Sequence, residues 1–167
     1  MKRFHPGNWF GRVLSSLRGR RRDGAFGNGT DDAATHKTVE RDVIGEADAL
    51  RDTHRFAEAA EAYAAALALS PARNDLRVQR ANMLKDAERL QDAVLVYRIA
   101  DVIEPAGPVR ADIRLQWARA LWAAGDPLGA EALYEAARAE APGTSVKALA
   151  LAELSRLRHQ HGSPYWL

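Results

Sequence analysis

The sequence contains no cysteine among its 167 residues. Disulfide bridges, thiolate metal sites and cysteine nucleophiles are therefore excluded, because each of them requires a thiol. A reducing compartment suits such a chain, so we expect a cytoplasmic protein, with peripheral attachment to a membrane as an option discussed below.

Long apolar runs are also missing. The longest ones, such as Ala64 to Leu69 and Ala148 to Ala152, fall far short of the ~20 residues that a helix needs to cross a bilayer. The sequence therefore predicts no transmembrane helix.

Catalytic and ligand-binding motifs are absent from the sequence as well. It has no HExxH motif, P-loop, dinucleotide-binding glycine set or nucleophile elbow. The histidines are scattered, and His159 and His161 would point to different faces of a helix, which makes them a poor metal chelate. We expect a chain that is not an enzyme and that has no cofactor and no metal site.

The composition favours helices. Hydrophobic residues make up 47% of the chain but aromatic residues only 7%, and alanine is frequent while β-branched residues are few. Alanine has the highest helix propensity and lets helices pack closely. The length allows one domain plus a tail, since single domains usually have roughly 100 to 200 residues. We predict an all-α fold.

Charge is unevenly distributed along the chain. The formal net charge is +2, yet residues 1–22 carry seven basic side chains and no acid, which leaves the remainder with a net charge of −5. The first 22 residues are thus a cationic arm on a mildly acidic body. Its basic residues are Lys2, Arg3, Arg12, Arg18, Arg20, Arg21 and Arg22.

Part of this arm has helical amphipathic spacing. Its apolar residues fall on one helical face, and mostly opposite them lie Arg12, Ser15, Ser16 and Arg18. The apolar residues are Trp9, Phe10, Val13, Leu14 and Leu17.

Such an arm suits several roles. An anionic membrane surface or a partner's groove would fit the amphipathic face. Nucleic-acid phosphates could bind Arg20, Arg21 and Arg22, although we do not expect a nucleic-acid partner. A targeting presequence and a disordered, solubilising tail are the remaining interpretations.

A polar stretch separates the arm from the rest of the chain. Residues 23–32 contain three glycines and little to bury, so they cannot offset the entropy cost of becoming ordered. We predict a flexible linker over residues 23–38, with the folded part beginning near Val39.

The remaining sequence repeats itself. The pattern Ala59-x-x-x-Tyr63-x-x-Ala66 recurs twice, and prolines and further alanine and leucine positions follow the same offsets. The first interval is 34 residues and the second is 37, and we assign the three extra residues to the loop around 106–108. The equivalent sets are Ala93, Tyr97 and Ala100; Ala130, Tyr134 and Ala137; Pro71, Pro105 and Pro142; Ala47, Ala81 and Ala118; and Leu50, Leu84 and Leu121.

These residues resemble the tetratricopeptide repeat (TPR), a 34-residue helix-turn-helix unit with small residues where its helices cross, an aromatic in the second helix and a proline after it. The resemblance implies a right-handed α-solenoid with repeats at about 39–72, 73–105 and 109–142. Residues 143–167 would form a capping helix and an aromatic C-terminal tail, whose Tyr165, Trp166 and Leu167 either fold back or serve as a short linear motif.

The repeats diverge from the family pattern. Val43, Arg77 and Arg114 occupy the place of an early tryptophan, and alanines replace a usual glycine. The turn between the helices of the third repeat, Gly125-Asp126-Pro127, has favourable residues for ending one helix and starting the next. The turns at His54 and Glu88 are less favourable.

The resemblance also implies a binding surface. In the family, the first helix of each repeat lines a concave groove that holds a partner peptide. We therefore expect a ligand with an acidic group and an apolar anchor. The alternative is that the groove residues are ordinary surface residues and that Trp122 packs under the last helix. The predicted groove residues are Ile44, Asp48, Arg51, Val78, Asn82, Lys85, Leu115, Arg119 and Trp122.

One known activity of the family is disfavoured by the sequence. Chaperone-binding members grip a C-terminal carboxylate with lysine, asparagine and arginine at five positions. Here those positions hold Ile44, Asp48, Gln79, Asp112 and Gln116. We expect no recognition of chaperone tails.

The function that these features favour is a protein-interaction scaffold or adaptor that holds a partner peptide. Two alternatives stay open at the level of sequence. One is a non-catalytic accessory subunit of an enzyme system, such as a polysaccharide or glycosyltransferase assembly. The other is weak nucleic-acid binding through the arm.

Overall fold

The computed structural model describes residues 29–161, with side chains for residues 33–160. Over this range the chain forms seven α-helices and no strand, which confirms the prediction of an all-α fold. The helices are α1 (Gly29–Asp52), α2 (Phe56–Leu69), α3 (Asn74–Asp86), α4 (Leu90–Ile103), α5 (Pro108–Ala123), α6 (Pro127–Glu140) and α7 (Ser145–His161).

Helix α1 begins earlier than predicted. Residues 29–38 were predicted to belong to a flexible linker, but they are helical in the structure. The sequence has no glycine or proline between Thr30 and Ile44, and extending an existing helix costs little because each added residue gains a hydrogen bond. The chain divides into two units, residues 1–36 and 37–167, and residues 29–36 are the described part of the first.

From residue 37 onward the helices are arranged as a solenoid. Each helix from α2 to α6 packs against the next one along the chain. In addition α3 contacts α5, and α5 contacts α7, so the first helices of successive hairpins lie side by side. This nearest-neighbour packing is typical of repeat proteins, in which each unit contacts only the units beside it.

Small residues stand where the helices cross. Ala47, Ala81 and Ala118, at equivalent positions of α1, α3 and α5, are all fully buried. The alanines at the two matching positions of α2, α4 and α6 are also fully buried. With only a methyl group between the backbones, the helices approach closely, as the sequence predicted.

The three tyrosines of the repeat pattern are the largest fully buried side chains of the described residues. In the first two repeats, the phenol oxygen donates a hydrogen bond to the first helix of the same hairpin. Tyr63 Oη donates to Asp48 Oδ1, and Tyr97 Oη donates to Asn82 Oδ1, both at 2.5 Å. Burial and the Asp48 carboxylate raise the pKa of Tyr63 to about 12.

The third repeat breaks this pattern. The position equivalent to Asp48 and Asn82 is Arg119, whose guanidinium has no acceptor atom. Arg119 donates instead to Glu153 on α7, with Nη2 to Oε1 at 2.9 Å. Among the described residues, the buried Oη of Tyr134 has no hydrogen-bond partner.

The turns inside the three hairpins share one conformation. In the first, the N–H of His54 donates to the carbonyl oxygen of Arg51 and the N–H of Arg55 to that of Leu50, both at 2.9 Å. The same two bonds recur in the other turns, and together they form a Schellman C-cap. This motif needs a left-handed residue, and the residues with φ of 58°, 60° and 85° are His54, Glu88 and Gly125.

Ion pairs replace the missing aromatic of the third repeat. Arg114, at the early tryptophan position, donates to Asp101 on α4 at 2.7 Å and to Glu140 on α6 at 2.6 Å. Glu140 also accepts from Arg110 and from the backbone N–H of Gly107, which lies in the loop with the three extra residues. A network of charged groups therefore holds this longer loop against the next hairpin.

Helix α7 covers the end of the third hairpin. Ala150, Leu154 and Leu157 are buried in one cluster with residues of α5 and α6, and Val146 packs against its edge. The spacing of apolar residues predicts that Leu149 and Ala152 share this contact face. This prediction is wrong, because Leu149 is 45% exposed and Ala152 is exposed as well. No helix among the described residues is long and apolar enough to cross a membrane.

The strained turns give the first prediction. A residue with a side chain in the left-handed region costs roughly 1 kcal/mol compared with glycine. We expect Glu88→Gly to raise the free energy of unfolding by about 0.5–1 kcal/mol, measured by urea denaturation. Glu88→Ala, which removes the same charge but keeps the β-carbon, is the control and should give no gain. An equal increase in the free energy of unfolding in both variants would contradict backbone strain at Glu88.

The tyrosine hydrogen bonds give the second prediction. Removing a buried hydrogen-bonded hydroxyl costs about 1 kcal/mol, whereas removing one without a partner costs nothing. Tyr97→Phe should therefore lower the free energy of unfolding by about 1 kcal/mol. Tyr134→Phe should leave it unchanged or raise it slightly. Urea denaturation of the two variants measures the difference, and equal losses would show that Tyr134 also has a partner in solution.

Candidate functional site

The first helices of the hairpins, together with α7, form the surface on which the sequence predicted a groove. We call this the first-helix surface. Eight of the nine predicted residues are partly exposed there. These eight are Ile44, Asp48 and Arg51 on α1; Val78, Asn82 and Lys85 on α3; and Arg119 and Trp122 on α5.

Leu115 is the exception. It was predicted to line the surface, but it is fully buried in the cluster that α5 forms with α6 and α7. The position equivalent to Ile44 and Val78 is covered in the third repeat because α7 packs over this part of α5. Leu115 therefore belongs to the core and cannot contact a ligand directly.

At the α1 end of the surface the charged side chains satisfy one another. Arg51 Nη1 donates to Asp48 Oδ1 at 2.9 Å and to Tyr63 Oη at 3.2 Å. Arg51 also pairs with Asp52 at 3.0 Å. Since Asp48 already accepts from Tyr63 as well, this end is a closed network attached to the core.

The middle of the surface has a different electrostatic character. Lys85 Nζ donates to the side-chain amide oxygen of Gln116 at 3.3 Å, and its nearest carboxylate oxygen, on Asp86, is 3.9 Å away. The lysine side chain is only 22% exposed. It is thus a largely covered cation with one neutral partner and one distant carboxylate.

The electrostatic surroundings of Lys85 explain the direction of its pKa. Burial lowers the pKa of the ammonium group below its ordinary value, and the positive charge of Arg119 lowers it further. Asp86 and Asp112 oppose this shift without cancelling it. An additional negative group beside Lys85 would therefore be stabilised.

Arg119 lies beside this lysine and is held by α7. Its Nε and Nη2 both donate to Glu153 Oε1, at 3.2 and 2.9 Å. Glu153 also lies 3.5 Å from Arg156. One carboxylate thus faces two guanidinium groups here, so this end of the surface carries an excess of positive charge.

The sequence prediction missed Gln116 and Glu153 as members of this surface. A signal for Glu153 was present, because it follows Arg119 by 34 residues, the repeat interval. That spacing places it on α7 at the position that Asp48, Asn82 and Arg119 occupy on the other first helices. The sequence analysis assigned α7 only as a cap, so the equivalence of Glu153 to these positions was missed.

Trp122 is partly buried against the same cluster that contains Leu154 and Leu157 of α7. It therefore has the packing that the sequence analysis considered as the alternative to a binding anchor. The part of its ring that stays exposed is the apolar surface it can offer to a ligand.

Two groups of predicted residues lie outside the described part of the chain, namely the basic arm and the C-terminal tail after His161. The arm residues concerned are Trp9, Phe10, Arg12, Val13, Leu14, Leu17, Arg18, Arg20, Arg21 and Arg22. Among residues 33–160, no group of three or more histidine, aspartate or glutamate side chains is arranged to hold a metal ion.

Several solved structures have a similar arrangement of helices at low sequence identity. One of them is the Yersinia enterocolitica type III secretion chaperone SycD, solved in complex with a peptide of the translocator YopD. It superposes on this chain with a TM-score of 0.64 at 12% sequence identity, and the match covers 72% of this chain and 92% of that chain. The first TPR domain of Spaghetti (RPAP3), bound to the HSP90 peptide SRMEEVD, gives 0.64 at 15% identity, with coverages of 74% and 94%.

Superposition on a type III secretion complex from Aeromonas hydrophila gives a TM-score of 0.67 at 14% sequence identity, and the match covers 89% of this chain and 99% of that chain. At such low identities the likeness establishes the fold alone. No curated protein sequence matches this chain significantly.

Sequence comparison with protein families gives a direct assignment. The tetratricopeptide repeat model matches residues 44–108 and 115–164, which together exceed half of the chain. The second match extends across α7, in agreement with its position as a further first helix. This chain belongs to the tetratricopeptide repeat family.

Proposed function

We propose that this protein is a non-catalytic, cytoplasmic interaction scaffold whose first-helix surface binds a peptide segment of a partner protein. The proposed ligand has an acidic group that lies beside Lys85 and an apolar side chain that contacts the exposed part of Trp122. A peptide of this kind would span α3 and α5, whose side chains already touch through Lys85 and Gln116.

The observation that carries this proposal is that Lys85 is largely buried without a close carboxylate partner. A largely covered ammonium group beside a second cation raises the free energy of the unbound protein, because neither its hydration nor an ion pair is complete. A ligand carboxylate would relieve this cost. The positive charges of Arg119 and Arg156, shared over one Glu153 carboxylate, favour the same sign of ligand.

Related folds support a peptide as the ligand class. SycD was solved with a peptide of the translocator YopD, and the Spaghetti domain was solved with an HSP90 peptide. The five positions that grip a chaperone tail in some family members carry other residues here. We therefore propose a peptide ligand whose acidic group binds Lys85, beside Gln116, and is not held by a clamp of the family type.

Selection from a displayed library of random 12-residue peptides tests this proposal. The full chain should enrich peptides that combine Asp or Glu with a large apolar residue. Lys85→Gln should weaken the binding of the selected peptides by roughly 10-fold, since a partly buried ion pair contributes about 1.4 kcal/mol or more. Fluorescence anisotropy with labelled peptides gives the affinities.

The control for this experiment is Lys37→Gln, which removes the same charge from an exposed position of α1. It should leave the affinities unchanged. If Lys85→Gln bound the selected peptides as tightly as the unaltered chain, or if neutral peptides were enriched equally, the acidic subsite would be wrong.

A second role is favoured by the composition of the arm, namely attachment to an anionic membrane. Seven basic side chains and no acid occur in residues 1–22, beside an amphipathic segment with Trp9 and Phe10. Each basic residue near an anionic surface adds ~1 kcal/mol of attraction. An accessory role in an enzyme assembly and nucleic-acid binding stay predictions from the sequence.

Vesicle co-sedimentation tests the membrane role. The full chain should sediment with vesicles containing about 30% phosphatidylserine and stay in solution with neutral phosphatidylcholine vesicles. Raising the salt concentration to about 0.5 M should release it, because the attraction is electrostatic. Equal sedimentation after deletion of residues 1–22 would exclude the arm as the membrane anchor.

A further inference from the structure

The middle repeat differs from the first at one position of the first-helix surface. Asp48 of α1 and Asn82 of α3 are equivalent, and each accepts a hydrogen bond at 2.5 Å from the buried tyrosine of its own hairpin. Each is followed three residues later by a basic side chain, which is Arg51 in the first repeat and Lys85 in the second. Residues three apart on a helix lie side by side, so the two pairs can be compared directly.

The basic residue has a counter-ion on its own helix in the first repeat but not at the same place in the second. Asp48 Oδ1 lies 2.9 Å from Arg51 Nη1, so the carboxylate neutralises the guanidinium. The equivalent Asn82 is neutral, and the nearest carboxylate oxygen to Lys85 Nζ, on Asp86, is 3.9 Å away. The change from Asp to Asn between the repeats therefore removes the counter-ion that this position supplies in α1.

The buried hydroxyl of Tyr97 fixes the orientation of the Asn82 side chain. Burial raises the pKa of Tyr97 well above its ordinary value, and the negative charges of Asp86 and Asp112 raise it further. The hydroxyl therefore keeps its proton at neutral pH and donates it to Asn82 Oδ1. Because the amide oxygen is held by the core in this way, the NH2 group of the same amide points away from Tyr97.

The NH2 group of Asn82 is open to solvent. Among the described residues, Nδ2 has no hydrogen-bond partner, and it does not belong to the buried unpaired side-chain atoms. An amide NH2 group can only donate hydrogen bonds. The neighbouring Lys85 ammonium has three N–H donors, of which Gln116 Oε1 accepts one at 3.3 Å. Asn82 and Lys85 therefore present unused donors side by side on α3.

We infer that Asn82 and Lys85 bind one carboxylate of the ligand between them, in the place that the Asp48 carboxylate takes beside Arg51 in the first repeat. Asn82 Nδ2 donates to one oxygen and Lys85 Nζ to the other. This inference rests on the proposed function, and it makes Asn82 a specificity-determining residue with Tyr97 as its positioning residue. A ligand amide has a single acceptor oxygen, so its own NH2 group would face one of the two donors.

The affinities of one pair of peptides test the inference. The probes are the tightest-binding acidic peptide from the library selection and the same peptide with each Asp or Glu replaced by its amide. Fluorescence anisotropy should show that the full chain binds the acidic form at least about 10-fold more tightly than the amide form. We call this ratio the acid preference.

Asn82→Asp should reduce the acid preference to about 1, because the new carboxylate pairs with Lys85 and repels a ligand carboxylate. The variant should keep its helix content and its unfolding temperature in circular dichroism, since Asp48 accepts the same tyrosine hydrogen bond in the first repeat. The matched control is Gln91→Glu, which makes the same change from amide to carboxylate at an exposed position of α4. It should leave the acid preference unchanged.

Tyr97→Phe tests the positioning role of the hydroxyl. Without the hydroxyl the Asn82 amide can turn its oxygen towards the ligand, so the acid preference should fall by about 3-fold. Tyr63→Phe removes the equivalent hydroxyl of the first repeat and should not change the acid preference. A loss of stability alone would weaken the binding of both peptides equally and leave their ratio unchanged.

Three outcomes would overturn the inference. If Asn82→Asp kept the full acid preference while Lys85→Gln abolished it, the acidic subsite of the proposed function would stand without Asn82. An equal fall of the preference in Gln91→Glu would show a general effect of charge and remove the role of Asn82 in the same way. Selection of peptides without acidic residues would overturn the proposed acidic subsite and this inference together.

Discussion

The close crossing of helices at alanine residues is the constraint on which this structure depends. Ala47, Ala81 and Ala118 are fully buried at equivalent positions, and a larger side chain there would push the two helices of a hairpin apart. The tyrosine of each second helix is the largest side chain that these tight crossings bury. The same packing is therefore repeated along the chain.

Repeating one packing arrangement also repeats its polar requirements. A tyrosine buried at every crossing brings a phenol oxygen that needs a partner, and the first helix supplies one from a position near the surface. Asp48 and Asn82 meet this need, whereas Arg119 is drawn to Glu153 of α7. The same position thus serves the core in two repeats and the surface in the third. At this position the third repeat diverges from the other two, and the residue concerned lies between the core and the first-helix surface.

Periodicity in the sequence predicted most of the fold. The intervals of 34 and 37 residues located the hairpins, their buried alanines and tyrosines, and the loop with the extra residues. The start of α1 was missed, because polar composition indicates a low gain from burial but does not prevent an established helix from extending. The burial of Leu115 was missed as well, since equivalence between repeats ignores the neighbour that differs, in this case α7.

The exposed aliphatic face of α4, formed by Leu95, Ile99, Val102 and Ile103, differs from the Lys85 region in the kind of contact that it favours. Lys85 lies among charged groups on a surface where hydrogen bonds can select one ligand over another, and its unmet charge matters only when a negative group arrives. The α4 face gains free energy from any apolar surface that fits, and the exposed side chain of Arg98 lies beside it. A solenoid whose repeats were identical would have neither feature, because both arise at positions where one repeat departs from the others.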